Sequence, residues 1–311
     1  MSIEEVRPAV EVARPRVVRL ALGYLELTKP RIVMLVILTG VPALLMASQG
    51  RATPRVFWGA LIGIMFAAMS AASFNHYVDR DIDGLMRRTR NRPLPSGLFP
   101  ASHALIVGAL LAVASWAVLI TSTNLLAAVI AMVSIVYYAV VYSIWLKRRT
   151  PQNIVIGGGA GASAPLIAWA AVAGHLGWSA WLMASIVFFW TPPHFWALSL
   201  YRRDDYQRAN IPMLPVTHGE PETRRQIVLY TLILVPVTLS LPLLGVAGPL
   251  YGVGAALLGA GFLTLALRLQ RSGTIPHAVQ LFRYSILYLF LLFVLMGVDA
   301  VVRIAGHRVV G

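Results

Sequence analysis

Residues 75–95 read NHYVDRDIDGLMRRTRNRPLP and follow directly on a long apolar run. The stretch holds three carboxylates (Asp79, Asp81, Asp83) and five arginines (Arg80, Arg87, Arg88, Arg90, Arg92), in a chain with only 12 acidic residues. Asn75, Asp79 and Asp83 are spaced four apart. On a helix that spacing sets all three on one face, over about 12 Å, with Asp81 off it. A row of side-chain oxygens suits a hard cation such as Mg²⁺, which also binds phosphate oxygens. A charged loop serving only membrane topology would not need this rhythm, because acidic residues contribute little to orientation.

A second cluster, YRRDDYQRANIPMLPVTHG, occupies residues 201–219. Tyr201 and Asp205 stand one helical turn apart, with Asp204 beside them and Arg202, Arg203 and Arg208 interleaved. Two acidic clusters at one mouth could hold two Mg²⁺ ions, and arginine forks match phosphate oxygens bidentately. A diphosphate calls for that mixture of metal and cation. Taken alone, the second cluster reads equally well as a basic loop that sets topology. Lys147, Lys29 and Arg31 sit at span ends, where a side chain reaches a diphosphate or simply snorkels to water.

The elements that must position these groups are transmembrane. The 311 residues are 58% hydrophobic and 12% charged, with mean hydropathy +0.73, whereas soluble domains carry about 25% charged residues. There is no cysteine, which excludes disulfides, thiolate nucleophiles and cysteine-ligated metals. The net charge of +14 is spread between apolar runs, so it points to anionic lipid or substrate and not to nucleic acid. Spans of bilayer length are expected at 32–49, 56–78, 101–120, 124–146, 153–173, 178–200, 226–246, 248–267 and 282–303, after a basic tail (1–31) and before a short C-terminal tail (304–311). With this division only Arg51, Arg55, Arg303 and Arg308 fall on the outer side. The positive-inside rule then makes the N-terminus and both acidic loops cytoplasmic and the C-terminus external. The two loops stand four helices apart, which hints at a parallel repeat around one cavity.

Other features weigh less. His194 lies in the apolar run FFWTPPHFWALSL after Pro192 and Pro193, which predicts a broken helix. An intramembrane histidine there can touch a porphyrin, or merely bond to a neighbouring helix. His76 and the remaining histidines form no zinc pattern. GGGAGASAP (157–165) lacks the Lys-Ser/Thr of a nucleotide loop and reads as close helix packing. The aromatics of spans four and six are expected in the interface or core, where some could flank a hydrocarbon chain.

The N-x-x-x-D-x-x-x-D row closing the second span, with an acidic loop after the sixth, resembles the UbiA superfamily of intramembrane prenyltransferases. Together with KRRTPQNIVIGGGAGASAPLIAW (147–169) and TPPHFWALSLYRRDDYQRANIPMLPVTHG (191–219), it resembles the heme-farnesylating branch. The likeness runs from Thr28-Lys29-Pro30-Arg31 to the last span. It implies an all-α, nine-helix bundle (32–303) around a central cavity that opens laterally to lipid. Asn75, Asp79 and Asp83 match the first Mg²⁺–diphosphate motif. Asp205, with Asp204 and Tyr201, stands at the second, where tyrosine at 201 departs from the common aspartate and leaves the choice between Asp204 and Asp205 open. Arg87, Arg88, Arg92, Lys147 and Arg202 take the basic positions near diphosphate. The implied substrates are farnesyl diphosphate and heme B, heme being a substrate and not a prosthetic group, with His194 as a candidate to orient it. The implied setting is the cell (plasma or inner) membrane, with a downstream heme-modifying enzyme as a further partner. The rivals are a prenyltransferase acting on a quinone precursor and, in a different class, a transporter. A transporter would place its acids deep within several spans; here Asp299 alone lies so.

Overall fold

A computed structural model describes residues 15–310, all of whose regular elements are helical. Arg7 and Arg14 of the expected basic tail lie outside them. The helices are α1 (Arg16–Leu27), α2 (Pro30–Ser48), α3 (Pro54–Leu85), α4 (Ser102–Ser122), α5 (Leu125–Val136), a π-helical segment (Tyr137–Leu146), α6 (Asn153–Gly161), α7 (Ser163–Ala173), α8 (Trp178–Tyr201), α9 (Arg203–Arg208), α10 (Leu214–Thr217), α11 (Gly219–Leu243), α12 (Pro249–Ser272) and α13 (Ile275–Val310). Eight helical stretches among the described residues are long and apolar enough to cross a membrane. The stretch expected as the sixth span forms the 24-residue α8, which runs on through Pro192 and Pro193 where a broken helix was expected, and it is not one of those eight. Its tryptophans, prolines and histidine lower its hydropathy while its length suffices.

The long segments pack in chain order, α2 on α3, α3 on α4, α4 on α5, α5 on α7, α7 on α8, α8 on α11, α11 on α12 and α12 on α13, and α13 returns to α2. The bundle therefore closes into a ring, crossed by the packing of α2 on α7 and of α8 on α13. Small residues set the spacing, as expected where lipid gives helices no hydrophobic drive to associate. A Cβ added at Gly63 would collide with Leu119, and one at Gly108 would stand 2.9 Å from the Phe74 ring. Hydroxyls reach across the same α3–α4 seam, Ser70 to the Gly108 carbonyl at 2.7 Å and Ser115 to the Gly63 carbonyl at 2.8 Å.

Local chemistry fixes the ends. Thr53 caps α3 by accepting from the Val56 N–H, with Pro54 at the first helical position, where its missing N–H costs nothing. Asn124 caps α5 through the Ala127 N–H and donates to the Ala170 carbonyl at 2.7 Å, tying α5 to the end of α7. The stretch 157–165 divides into α6 and α7 around Ala162. Pro165 has no N–H to offer the Gly161 carbonyl one turn back, so the ladder breaks there.

Within the segment expected as a tail, α1 forms an amphipathic helix. Arg16, Arg19, Val17 and Leu22 are exposed, while Gly23 and Leu27 are buried against the segment joining α3 to α4. Tyr24 stacks on Phe99 at 4.7 Å and meets His103 Nδ1 at 2.7 Å. At the other end α13 continues as helix through the residues expected as a short tail.

Candidate active site

Helix α3 has 32 residues, about 48 Å at 1.5 Å per residue, against a hydrocarbon core of about 30 Å. It is longer than a bilayer crossing needs, and its last turns carry the acidic row. Asn75, Asp79 and Asp83 are all buried; Asp81 is exposed. The Asn75 amide donates to Asp79 Oδ2 at 2.7 Å and to Ser143 Oγ at 3.0 Å. Lys29 Nζ donates to Asn75 Oδ1 at 2.6 Å, and Lys147 forms an ion pair with Asp79. Asp83 takes Arg92 Nη1 at 2.7 Å. Off this face, Asp81 receives both terminal nitrogens of Arg148 at 2.7 Å each.

Three local structures make this possible. Lys29 precedes Pro30 and adopts a left-handed backbone (φ 49°) at the elbow between α1 and α2, a conformation uncommon outside glycine. The elbow turns its side chain inward, whereas Arg31, two residues on, is exposed. The π-helical segment bonds each N–H one residue further back, as in Lys147 N to the Tyr142 carbonyl at 2.9 Å, and this shift aims Ser143 and Lys147 at α3. Beyond α3, Thr89 Oγ1 donates to the Asp83 carbonyl at 2.9 Å and folds the arginine-rich loop back over the row.

The second cluster closes on the first. Asp205 is buried; its Oδ1 accepts the Arg87 backbone N–H at 3.1 Å and pairs with Arg208. Burial acts to raise the Asp205 carboxyl, and the bonds from Arg208 and the Arg87 N–H outweigh it, holding the group below the usual carboxylate range. An apolar cap of Ile82, Met86, Ile154, Tyr206, Ile211 and Met213 joins the two loops. Asp204 is exposed, which distinguishes the two neighbouring aspartates. The expected single turn from Tyr201 to Asp205 is not a continuous helix. The backbone leaves the helical path at Arg202 (φ −116°, ψ 19°), so α9 sets off anew and Tyr201 instead meets Phe282 edge-on at 5.7 Å. Arg202 lies 5.3 Å from the Tyr201 ring centre.

Arg87 and Arg88 are exposed at the rim. His194 stands apart from the carboxylates. It is buried, stacked between Trp190 (4.3 Å) and Phe282 (4.7 Å), with Nδ1 2.7 Å from Ser285 Oγ on α13. Ser143 joins the site without having been singled out from the sequence, whereas Lys29 stood there only as a span-end cation that reaches a diphosphate or snorkels to water. A lysine between an amphipathic helix and a proline is a weak signal for Lys29. Nothing in the sequence signals Ser143, whose direction depends on the π register.

Below the carboxylates lies an apolar cavity of about 120 Å³ that opens toward the surface. Lys29 stands at its polar end, and Ala68, Ala71, Tyr138, Gly161 and Ile167 are among its walls. The GGGAGASAP stretch therefore lines this cavity as well as packing helices. The donor set can be tested against a metal. Among the described residues no three His, Asp or Glu side chains gather into a ready cage. Yet Asp79 Oδ1 is buried with no partner, and Asn75 and Asp83 on the same helix face carry amide and carboxylate oxygens, which here meet Lys29 and Arg92. That combination fits Mg²⁺ held by few carboxylates and completed by substrate phosphates.

Paired acidic and basic loops cap an apolar cavity in an all-helical bundle, an arrangement that suits a molecule with a charged head and an apolar tail. Residues 33–298 match the UbiA prenyltransferase family, and the chain belongs to it. Over 97% of its length it is 48% identical to a protein named Protoheme IX farnesyltransferase from Roseiflexus sp. (strain RS-1), of which it spans 58%. It is 47% identical to one of the same name from Gloeobacter violaceus, covering 96% of this chain and 98% of that one. A third, from Azorhizobium caulinodans, is 49% identical over 90% of this chain and 92% of its own. The fold is similar to a solved digeranylgeranylglyceryl phosphate synthase (TM-score 0.74, 17% identity, 90% and 98% covered). It is also similar to a UbiA homolog from Archaeoglobus fulgidus bound to DMAPP and Mg²⁺ (TM-score 0.58, 15% identity, 87% and 99% covered).

Proposed function

We propose that this chain farnesylates heme B, converting heme B, farnesyl diphosphate and water to heme O and diphosphate. The observation that carries the reading is the double position of Lys29, which lines the apolar cavity and hydrogen-bonds Asn75. A prenyl diphosphate is an apolar chain with a charged head, and it needs both environments in one place. The names of the relatives supply the acceptor.

The diphosphate lies between the two loops. Lys29, Lys147, Arg92, Arg87, Arg88 and Arg202 supply positive charge, and Asn75, Asp79, Asp83 and Asp205 would hold Mg²⁺, with exposed Asp204 outside that set. Bound there, Mg²⁺ supplies charge neutralisation to the departing diphosphate. The allylic C–O bond breaks and its electron pair leaves with diphosphate, while the lysines and arginines stabilise the charge that develops. The cavity walls exclude water from the farnesyl cation. The terminal carbon of the heme 2-vinyl group attacks it, forming the C–C bond. Water then adds at the ring-adjacent carbon and loses a proton, which gives the hydroxyethylfarnesyl group. His194, fixed through Nδ1 by Ser285, offers its other ring nitrogen to orient heme.

The same reading places the chain in the cell (plasma or inner) membrane with α8 as the sixth of nine spans. The N-terminus and both acidic loops face the cytoplasm and the C-terminus lies outside. Its test is incubation of membranes containing the protein with heme B, farnesyl diphosphate and Mg²⁺, followed by mass analysis for heme O. Membranes lacking the protein serve as the control, and absence of heme O above them would sink the reading.

A further inference from the structure

Helices α2 and α13 pack along each other and close the ring. On the outer side of their seam the surface is concave. Arg31, Met34, Leu38, Arg283, Leu287 and Phe290 line one half. Leu38 and Val41 continue into a second half with Leu45, Val294, Gly297 and Val301. The two are therefore one groove. From Arg31 to Leu45 it runs about 21 Å at 1.5 Å per residue, longer than the roughly 15 Å depth of one leaflet's hydrocarbon. A complete acyl chain fits along it. Gly297 leaves the floor open, since a Cβ there would meet only Pro42, at 3.8 Å.

The end of the groove is charged and one-sided. Arg31 and Arg283 are both exposed, and neither guanidinium forms a hydrogen bond or ion pair with another described residue. Among the described residues no acidic side chain lines either half. Two guanidiniums on one rim repel each other unless an anion lies between them. Arginine forks match phosphate oxygens, and the cytoplasmic leaflet, which this end faces in the topology proposed above, supplies anionic headgroups. The groove's length calls for a ligand that is mostly hydrocarbon, and its rim for one phosphate at the interface.

We propose that the α2–α13 groove binds one anionic phospholipid, with its phosphate between Arg31 and Arg283 and an acyl chain lying over Leu38, Val41 and Phe290. The site is separate from the carboxylate cluster, since Arg31 is exposed and lines this groove while Lys29 lines the cavity and bonds Asn75.

The test uses the full chain in mild detergent, titrated with equal amounts of dioleoyl phosphatidylglycerol and dioleoyl phosphatidylcholine and read by native mass spectrometry. The wild type retains one phosphatidylglycerol per chain, at least about 5-fold over phosphatidylcholine. R31Q/R283Q brings the two lipids to parity. Gly297→Leu fills the groove floor and lowers retention of both lipids with the arginines intact, which keeps the proposal testable should the double variant fold poorly. R268Q/R271Q removes the same charge from exposed positions at the end of α12 and leaves the preference unchanged. Equal retention by the wild type, equal loss of preference in R268Q/R271Q, or unaltered retention in Gly297→Leu would each overturn the proposal. Displacement of phosphatidylglycerol by added heme B would also overturn it, by making the groove a porphyrin site.

Discussion

The Arg87 backbone N–H donates to Asp205 Oδ1 at 3.1 Å, joining positions 118 residues apart. This bond locks the second acidic loop onto the end of the first. It also explains why Asp205 is buried while Asp204 faces solvent. Asp205→Asn keeps an acceptor for the Arg87 N–H but removes a negative charge from the proposed diphosphate site. It is expected to fold normally and to lower kcat by about 100-fold or more, the scale lost with one preorganised electrostatic group. Asp204→Asn is expected to stay within about 3-fold of wild type. Heme O formation at saturating substrates measures both, and equal losses in the two variants would refute the assignment of Asp205.

Much of this site was legible in residue spacing. The period of four in Asn75, Asp79 and Asp83 needed only an uninterrupted helix, and α3 supplies one. Apolar length and basic-residue placement likewise gave the order of the long helices, because bilayer thickness constrains them so strongly. What stayed hidden were departures from regular backbone. The break at Arg202 undid the Tyr201–Asp205 face, and the π register turned Ser143 and Lys147 inward. The left-handed Lys29 separated it from Arg31, although both read as span-end anchors. Such features come from tertiary packing, here the apolar cap around Met86 and Tyr206, which no local periodicity encodes.

Lys147 neutralises Asp79 through Oδ2, and the Oδ1 of this buried carboxylate has no hydrogen-bond partner. Lys147→Met strands that charge, and the expected cost is about 3–5 kcal/mol of stability, read as a lowered unfolding temperature in detergent. The double variant Lys147→Met/Asp79→Asn removes both charges and should recover most of the stability. It should remain inactive, because the diphosphate then meets neither the cation nor the carboxylate. Recovery of activity along with stability would show the pair to be structural.

Farnesyl length is set by the cavity wall if the prenyl chain lies where Ala68 and Ala71 face Ile167. Ala71→Phe fills that space. The expected result is a fall of at least about 10-fold in kcat/KM for farnesyl diphosphate, with geranyl diphosphate changed by less than about 3-fold. Losing a methylene or two of pocket fit changes discrimination by factors of this size. Competition between the two diphosphates in one incubation, with products separated by mass, measures the ratio directly. An unchanged ratio would mean the chain lies elsewhere.

His194 tests the acceptor side independently of the diphosphate. Its ring is clamped by Trp190 and Phe282, and its Nδ1 is engaged by Ser285, so orientation is fixed from α13 as well as from α8. If the imidazole positions heme, His194→Ala raises the heme KM by about 10-fold and leaves the farnesyl diphosphate KM unchanged. Ser285→Ala then moves the heme KM in the same direction by less, because it frees the ring without removing it. A structural role predicts another pattern: both variants lower the unfolding temperature, and both KM values stay put. Measuring KM for each substrate in both variants, beside their melting curves, separates the two. Unchanged heme KM and turnover in His194→Ala would remove the histidine from the heme site.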